Sequence, residues 1–382
     1  MAQTWVPTPW KRLTLAGLNL FARAANPLRA RFSSVAIDRL SVERILVVEL
    51  WNIGDVILTI PFLTQLRAMF PNARTSLLAR TYASELLAGM DLVDEFLETD
   101  IDPQESWLMH GPRRYNLNEV RRVRRRLRER KFDIAFQCRM HVREHVILAM
   151  SGATRRVGYA FGPGDGVLTD AVMPDDGKGQ KFADWLRLLG PFGGPLEAEV
   201  RRLHVTAAER AWAEKYLADR GVSATDVVVG IHPGASLPEK RWPLDRFLDV
   251  ARQLSMRPGV RVLGFVDPED YGRPMDGVDG AINAKVGLRE LIALVQRCAL
   301  LVCNDSGPMH IAGALGVPTV AIFGAGIAQW YAPLGKLHEA VSGERGIAGI
   351  PTAEVLDAVD RALPRNVVSE PQWSTESDSG VR

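Results

Sequence analysis

Three short polar turns in this chain carry side chains with chemistry to offer, and each follows an apolar run. Gly54-Asp55 follows RILVVEL, Gly234-Ala235-Ser236 with Lys240 follows VVVGIH, and Asp305-Ser306-Gly307 with His310 follows LVCN. In the last two turns, backbone N–H groups and hydroxyls can face oxyanions while Lys240 adds a point charge. Together they read as a diphosphate site. Ser306 is a natural N-cap and Pro308 falls where a helix tolerates a missing N–H, so the positive end of a helix dipole points at the same place. On spacing alone Asp55 reads as the cap of a helix beginning at Val56. No Walker pattern is present and no G-x-G-x-x-G follows a strand, which argues against ATP hydrolysis and dinucleotide binding. His141 to His145 matches H-x-x-E-H, the inverted zinc-protease signature, but so short a pattern arises easily by chance. Its place after the strand FDIAFQC better suits a cleft-lining loop and helix start, and no metal is assigned.

The elements that must position these turns follow from the apolar runs. Runs without alternation suit parallel strands covered on both faces. RILVVEL, the turn WNIGD, a helix from about Val56 to Phe70 and the strand TSLLAR make a βαβ unit with a right-handed crossover. Ligands bind such sheets at the carboxyl ends of their strands. From Asp226 the pattern restarts: strand VVVGIH, turn PGAS, exposed basic loop LPEKRWP, helix LDRFLDVARQL and strand VRVLGF. A turn at Asp267-Pro268-Glu269-Asp270 and the helix LRELIALVQRC then lead to the strand, turn, helix and strand of Cys298 to Gly324. In the first half, EVRRVRRRLRERK is an arginine-rich helix with Val123 and Leu127 packing inward. Its charged side is either a solvated face or a patch for anionic lipid or a phosphorylated acceptor. GATRRVGYAFGPG reads as a glycine-punctuated loop on the cleft side, and residues 165 to 200 as irregular apart from FADWLRLLG. The expectation is an α/β protein of two doubly wound Rossmann-like domains facing across a cleft. Its segments are 1–40 (a basic amphipathic segment), 41–192, 193–364 with a final helix packing back, and 365–382 (a disordered tail).

Composition narrows the class. The 382 residues are 47% hydrophobic and 24% charged, with a net charge of +2, an ordinary soluble composition. Cys138, Cys298 and Cys303 show no C-x-x-C spacing, so neither a disulfide framework nor a zinc site is expected, and a reducing cytoplasm fits. No apolar run approaches the ~18 residues that span a bilayer. LTLAGLNLFARAA has the look of a signal peptide, but the run is brief and Arg23 interrupts it, which favours a cytoplasmic protein. Residues 1 to 37 hold Lys11, Arg12, Arg23, Arg29 and Arg31 and no acid. The helix expected at 10 to 25 is either an interfacial anchor on an anionic membrane surface or a helix docked on the protein itself. Nothing resembles a nucleic-acid-binding module.

The motifs are also similar to those of a known family. ILVVELWNIGDVILTIPFLTQLRAMFPNA resembles the opening of glycosyltransferase family 9, the heptosyltransferases of lipopolysaccharide core synthesis. GIHPGASLPEKRWPLDRF and CNDSGPMHIAGALGVPTVAIFG resemble its two donor-binding motifs, and GATRRVGY its middle segment. The likeness runs in order from about Arg44 to Leu363. It implies a GT-B architecture and an inverting, metal-independent transfer from ADP-heptose to a lipid-linked glycan, with no cofactor. It makes Asp55 the general base, while Lys240 and the helix opened by Ser306 stabilise the leaving diphosphate. By the same resemblance Ser236, Ser306 and Gly307 touch phosphates, Asp305 the sugar or its neighbourhood, His310 the same pocket and Glu269 the ribose. Gly54 and Met309 complete the substrate-binding set. Alternatives are the same mechanism with another nucleotide sugar or acceptor, a nucleotide-sugar epimerase, or a non-catalytic sugar-nucleotide-binding protein. The chain departs from the family at Glu49, where Arg is usual, at AGIAQWYAPLG after Phe323-Gly324, and at GFVDPED.

Overall fold

The structure, a computed structural model, describes residues 37–99, 117–139, 142–160, 165–174, 180–195, 197, 200–266, 275–324, 328, 331–335, 338–343 and 346–363. The amphipathic segment expected at 10 to 25, the polar tail, His141 and Glu269 lie outside the described residues. The described residues form two compact units. One runs to His204 and takes in 331–334; the other begins at Val205 and holds the rest.

Unit 1 is one parallel sheet. Its elements in chain order are β1 (Arg44–Val48), α1 (Ile53–Leu58), α2 (Ile60–Met69), β2 (Arg74–Ala79), α3 (Tyr82–Leu86), β3 (Glu95–Glu98), α4 (Leu117–Glu129), β4 (Ile134–Gln137), α5 (Val142–Ser151), β5 (Arg155–Tyr159), β6 (Asp170–Val172) and α6 (Lys181–Arg187). The strand order is β3-β2-β1-β4-β5-β6. β1 is central, with Val48 in register with Leu78 on one side and Gln137 on the other. Its apolar run has no exposed residue after Arg44, as a strand covered on both faces requires. The expected helix at 56 to 70 is instead two. α1 starts earlier, at Ile53, and the helix breaks at Thr59, because Pro61 has no N–H for a continuous ladder and Thr59 Oγ1 donates to Val56 O (2.6 Å).

Unit 2 repeats the plan with α7 (Ala207–Ala218), β7 (Val227–His232), α8 (Leu244–Ser255), β8 (Val260–Phe265), β9 (Ile282–Ala284), α9 (Leu288–Arg297), β10 (Leu300–Asn304), α10 (Gly307–Leu315), β11 (Thr319–Phe323), β12 (His338–Ser342) and α11 (Thr352–Ala362). Its strand order is β12-β11-β10-β7-β8-β9, all parallel. Counted from each unit's first strand, both sheets read 3-2-1-4-5-6, the dinucleotide-fold order in which the winding reverses between the first and fourth strands. The core of unit 2 is apolar, with Trp242 and Phe247 edge to face at 5.0 Å and α11 packed through Val355 and Val359. Among the described residues no helix is long and apolar enough to cross a membrane.

Several expectations need correction. GATRRVGY is not a loop but contains β5, and its first arginine stands at the strand's amino end. Buried Arg155 Nε donates to Asp170 Oδ2 (2.7 Å) and a second guanidinium nitrogen to Oδ1, so it closes β5 against β6. Residues 165 to 200 are less irregular than expected, since β6 completes the sheet. LPEKRWP is not wholly exposed: Trp242 is fully buried, and its Nε1–H donates to Ile350 O (3.0 Å). On α4, Val123 and Leu127 do pack inward. Its arginines are largely spent on their neighbours, as with Arg122 on Glu119 (2.5 Å) and Arg126 on Glu98 O (2.8 Å).

Candidate functional site

The reversal point of unit 1 lies between the carboxyl ends of β1 and β4, and Asp55 is beside it. Asn52 caps α1, which makes Asp55 its third residue, and Asn52 N–H donates to Asp55 Oδ2 (3.3 Å). The capping reading is therefore met, though at N3 rather than N-cap. The carboxylate also does more. Arg139 Nη1, just past the end of β4, and Lys181 Nζ, on the first residue of α6, each lie 2.5 Å from Asp55 Oδ1. Gly54 is buried in the same turn of α1.

The shell behind Asp55 is ionisable and buried. Arg139 lies over the Trp51 ring, 4.3 Å from its centre. Trp51 N–H donates to Glu49 Oε1 (3.0 Å) and Trp51 Nε1–H to Glu144 Oε1 (2.7 Å). Both glutamates are completely buried. Burial first, then the charge of Asp55, pushes the Glu49 carboxyl up to about 7 despite Arg139 and Lys181 nearby. Burial and the neighbouring Glu49 likewise push Glu144 well above the carboxylate range. Burial, with the charge of Arg139, brings Lys181 down to about 8. Its Nζ lies 4.7 Å from the ring centre of Tyr331, carried on the returning segment of unit 1. Among the described residues no group of three His, Cys, Asp or Glu is disposed to hold a metal ion. Glu144 of the H-x-x-E-H pattern is engaged by Trp51.

In unit 2 the reversal point lies between β7 and β10, and there the expected turns do come together. Asn304 ties them: its Nδ2–H donates to Pro233 O (2.6 Å), and its Oδ1 accepts from Trp242 N–H (3.1 Å). Lys240 Nζ reaches Asp305 Oδ2 at 2.6 Å, so the lysine is aimed by an ion pair and remains partly exposed at 26%. Ser306 does occupy the N-cap position of α10, yet its hydroxyl does not cap. It donates to Asn304 O (3.2 Å) and lies 3.4 Å from His232 Nδ1. Burial pushes His232 down to about 4, so it is neutral at physiological pH. Ser236 is exposed and Gly307 half-buried. Met309 is fully buried with its N–H bonded to Ser306 O (3.1 Å), and His310 is buried one turn into α10.

Sequence reasoning did not find Arg139, Lys181, Trp51, Asn304 or His232 as parts of these sites. Arg139 has the one local signal, a basic residue directly after a strand's carboxyl end. Lys181 has none, since it reaches Asp55 from 126 positions away. Glu49 stood out only as a departure from the family.

Comparison with known proteins gives the family and the fold. A curated relative, lipopolysaccharide heptosyltransferase 2 of Salmonella typhimurium, is 25% identical over 311 residues, covering 76% of this chain and 85% of the relative. Lipopolysaccharide heptosyltransferase 3 of Escherichia coli is 28% identical over 189 residues, covering 42% and 54%. In fold, the chain is similar to a glycosyl transferase of family 9 from Veillonella parvula, with a TM-score of 0.74 and 24% identity, covering 86% of this chain and 99% of that one. It is also similar to the E. coli ADP-heptose heptosyltransferase II, with a TM-score of 0.67 and 22% identity, covering 84% and 98%. The family model for glycosyltransferase family 9 (heptosyltransferase) matches residues 120–349, more than half of the chain. Two sheets of one winding order, motif turns at both reversal points and this match have one reading: the chain belongs to glycosyltransferase family 9, the heptosyltransferases.

Proposed function

We propose that this chain is an inverting glycosyltransferase that moves a heptose from ADP-heptose to a hydroxyl of the lipopolysaccharide core or a related glycolipid. The observation that carries the reading is the placement of family-matched residues at the reversal point of each sheet, where such folds bind ligands. Asp55 accepts the hydroxyl proton as the acceptor oxygen attacks the anomeric carbon. The bond from that carbon to the diphosphate breaks on the opposite face, ADP leaves, and the configuration inverts. With Arg139 and Lys181 on one oxygen, the carboxylate is held in a single orientation, as a base acting only while the bond forms must be.

The leaving diphosphate belongs to unit 2. Lys240, aimed by Asp305, and the first-turn N–H groups of α10 meet the charge that develops on the departing oxygen. Because the Ser306 hydroxyl is not used as a cap, it does not compete for those N–H groups. Protein groups carry the charge in this reading, so transfer should persist in EDTA. The basic, acid-free stretch 1 to 37 is the part we assign to the anionic membrane surface, with the protein in the cytoplasm. Equal liposome flotation with and without it would remove that assignment.

The test is transfer by purified protein from ADP-heptose to core-truncated lipopolysaccharide, followed by ADP release and a one-heptose mass gain, alongside Asp55→Ala. No transfer by the wild type, with Asp55→Ala indistinguishable from it, overturns the proposal. Thermal-shift titration with ADP, UDP and GDP checks the donor separately, since a ligand at 100 times its Kd adds about 2.7 kcal/mol to the native state.

A further inference from the structure

Behind the base lie two carboxyls that the reaction above leaves without a task. Glu49 follows β1 and Glu144 stands in the first turn of α5, and neither has any exposed surface. Each gives one oxygen to the same tryptophan, Glu49 Oε1 to the backbone N–H of Trp51 and Glu144 Oε1 to its indole N–H. The other oxygens, Glu49 Oε2 and Glu144 Oε2, are buried and have no hydrogen-bond partner among the described residues. Two ionised carboxylates, each with an unanswered buried oxygen, would be costly.

The charges facing Glu49 come from four elements: Asp55 on α1, Arg139 after β4, Glu144 on α5 and Lys181 on α6. The thiol of Cys138 is kept neutral by burial. Asp55, Glu49 and Glu144 are three acids against two bases, so a single retained proton balances the cluster.

We propose that Glu49 and Glu144 are positioning residues for Asp55: the pair retains a proton and clamps Trp51 from two sides, which fixes the ring on which Arg139 lies. The inference rests on the reading of Asp55 as the base. It gives the unusual Glu49 a role in the reaction without contact to substrate. Of the two glutamates, Glu49 is the one whose proton leaves in the working range, because its carboxyl is held near 7, while Lys181, held at about 8, begins to lose its own only at the top of it. Ionised Glu49 puts negative charge beside Asp55 and makes it the better proton acceptor.

The experiment is the pH dependence of kcat and of KM for ADP-heptose in the wild type, Glu49→Gln and Asp55→Asn, with melting temperature as the check on folding. The amide of Glu49→Gln keeps the acceptor for Trp51 N–H and cannot ionise. The wild-type kcat should climb up to about tenfold from pH 6 to pH 8. Glu49→Gln should lose that climb, with KM within about twofold of wild type. A wild-type pH profile in Glu49→Gln, with Asp55→Asn inactive, overturns the inference alone; an active Asp55→Asn overturns the base reading instead. Infrared spectra of the wild type supply a readout that needs no variant. A carboxylic-acid carbonyl band that titrates near pH 7 supports the proton retained on Glu49, and its absence overturns it.

Discussion

Unit 1 and unit 2 wind their strands in the same order, yet they put opposite materials at the reversal point. Unit 1 places Asp55, Glu49 and Glu144 with Arg139 and Lys181 in a buried cluster of acids and bases. Unit 2 uses backbone turns, the amide of Asn304, a neutral His232 and one ion pair with a quarter of the lysine side chain exposed. The contrast follows the chemistry. Proton transfer calls for a base whose affinity is set by its surroundings, and burial among charges is the strongest lever on that affinity. Holding a diphosphate calls for dipoles and a cation already charged at any physiological pH, which need no such adjustment.

The sharpest way to break this contrast is at Asp55. Asp55→Asn should lower kcat by about 10²- to 10⁴-fold with ADP affinity unchanged. A large loss of ADP affinity, measured by calorimetry, would show that the units do not divide the work. Next is Lys240→Ala, expected to cost about 10²- to 10³-fold in kcat and to weaken ADP binding, since Asp305 then faces the phosphates unpaired. Asp170→Asn tests whether a buried charge in unit 1 is by itself a sign of catalysis. Breaking the buried Arg155 pair should cost about 3–5 kcal/mol in denaturant unfolding and leave the kcat of folded protein intact.

The smallest effect is on stability against pH. Glu49 binds its proton more tightly folded, at about 7, than in the unfolded chain. Its favourable contribution is therefore full below the ordinary carboxylate range and fades as pH rises through about 7. Glu49→Gln does not titrate, so its melting temperature relative to wild type should be more positive at pH 8 than at pH 5, by a few degrees. An equal offset at both values would place no titrating carboxyl there.

The central strands were legible because β1, β7, β10 and β11 are apolar runs buried on both faces. The edge strands β3, β9 and β12 were not. They run three to five residues and carry polar side chains outward, so they lack the uninterrupted apolar signal. β5 was hidden by its glycine: Gly158 sits where a Cβ would come within 3.3 Å of Leu168, Gln137 and His145, which makes the residue a packing need rather than a turn signal. The turns of unit 2 that we assign to the diphosphate were readable because their residues are contiguous in the chain. Unit 1 gave up only Gly54 and Asp55, since Arg139 and Lys181 reach the carboxylate from two other parts of the chain and no spacing encodes that.

The returning segment of unit 1 bears on how this enzyme can be cut or recombined. Residues 331–334 are encoded within the second half but belong structurally to the first, where Tyr331 lies on Lys181. A gene fragment stopping at His204 would therefore express a truncation rather than a module, with the ammonium beside Asp55 stripped of its aromatic cover. Chimeras that exchange second halves among relatives would import a foreign residue at that point. Their first units would be altered without a single change in the first half's own coding sequence.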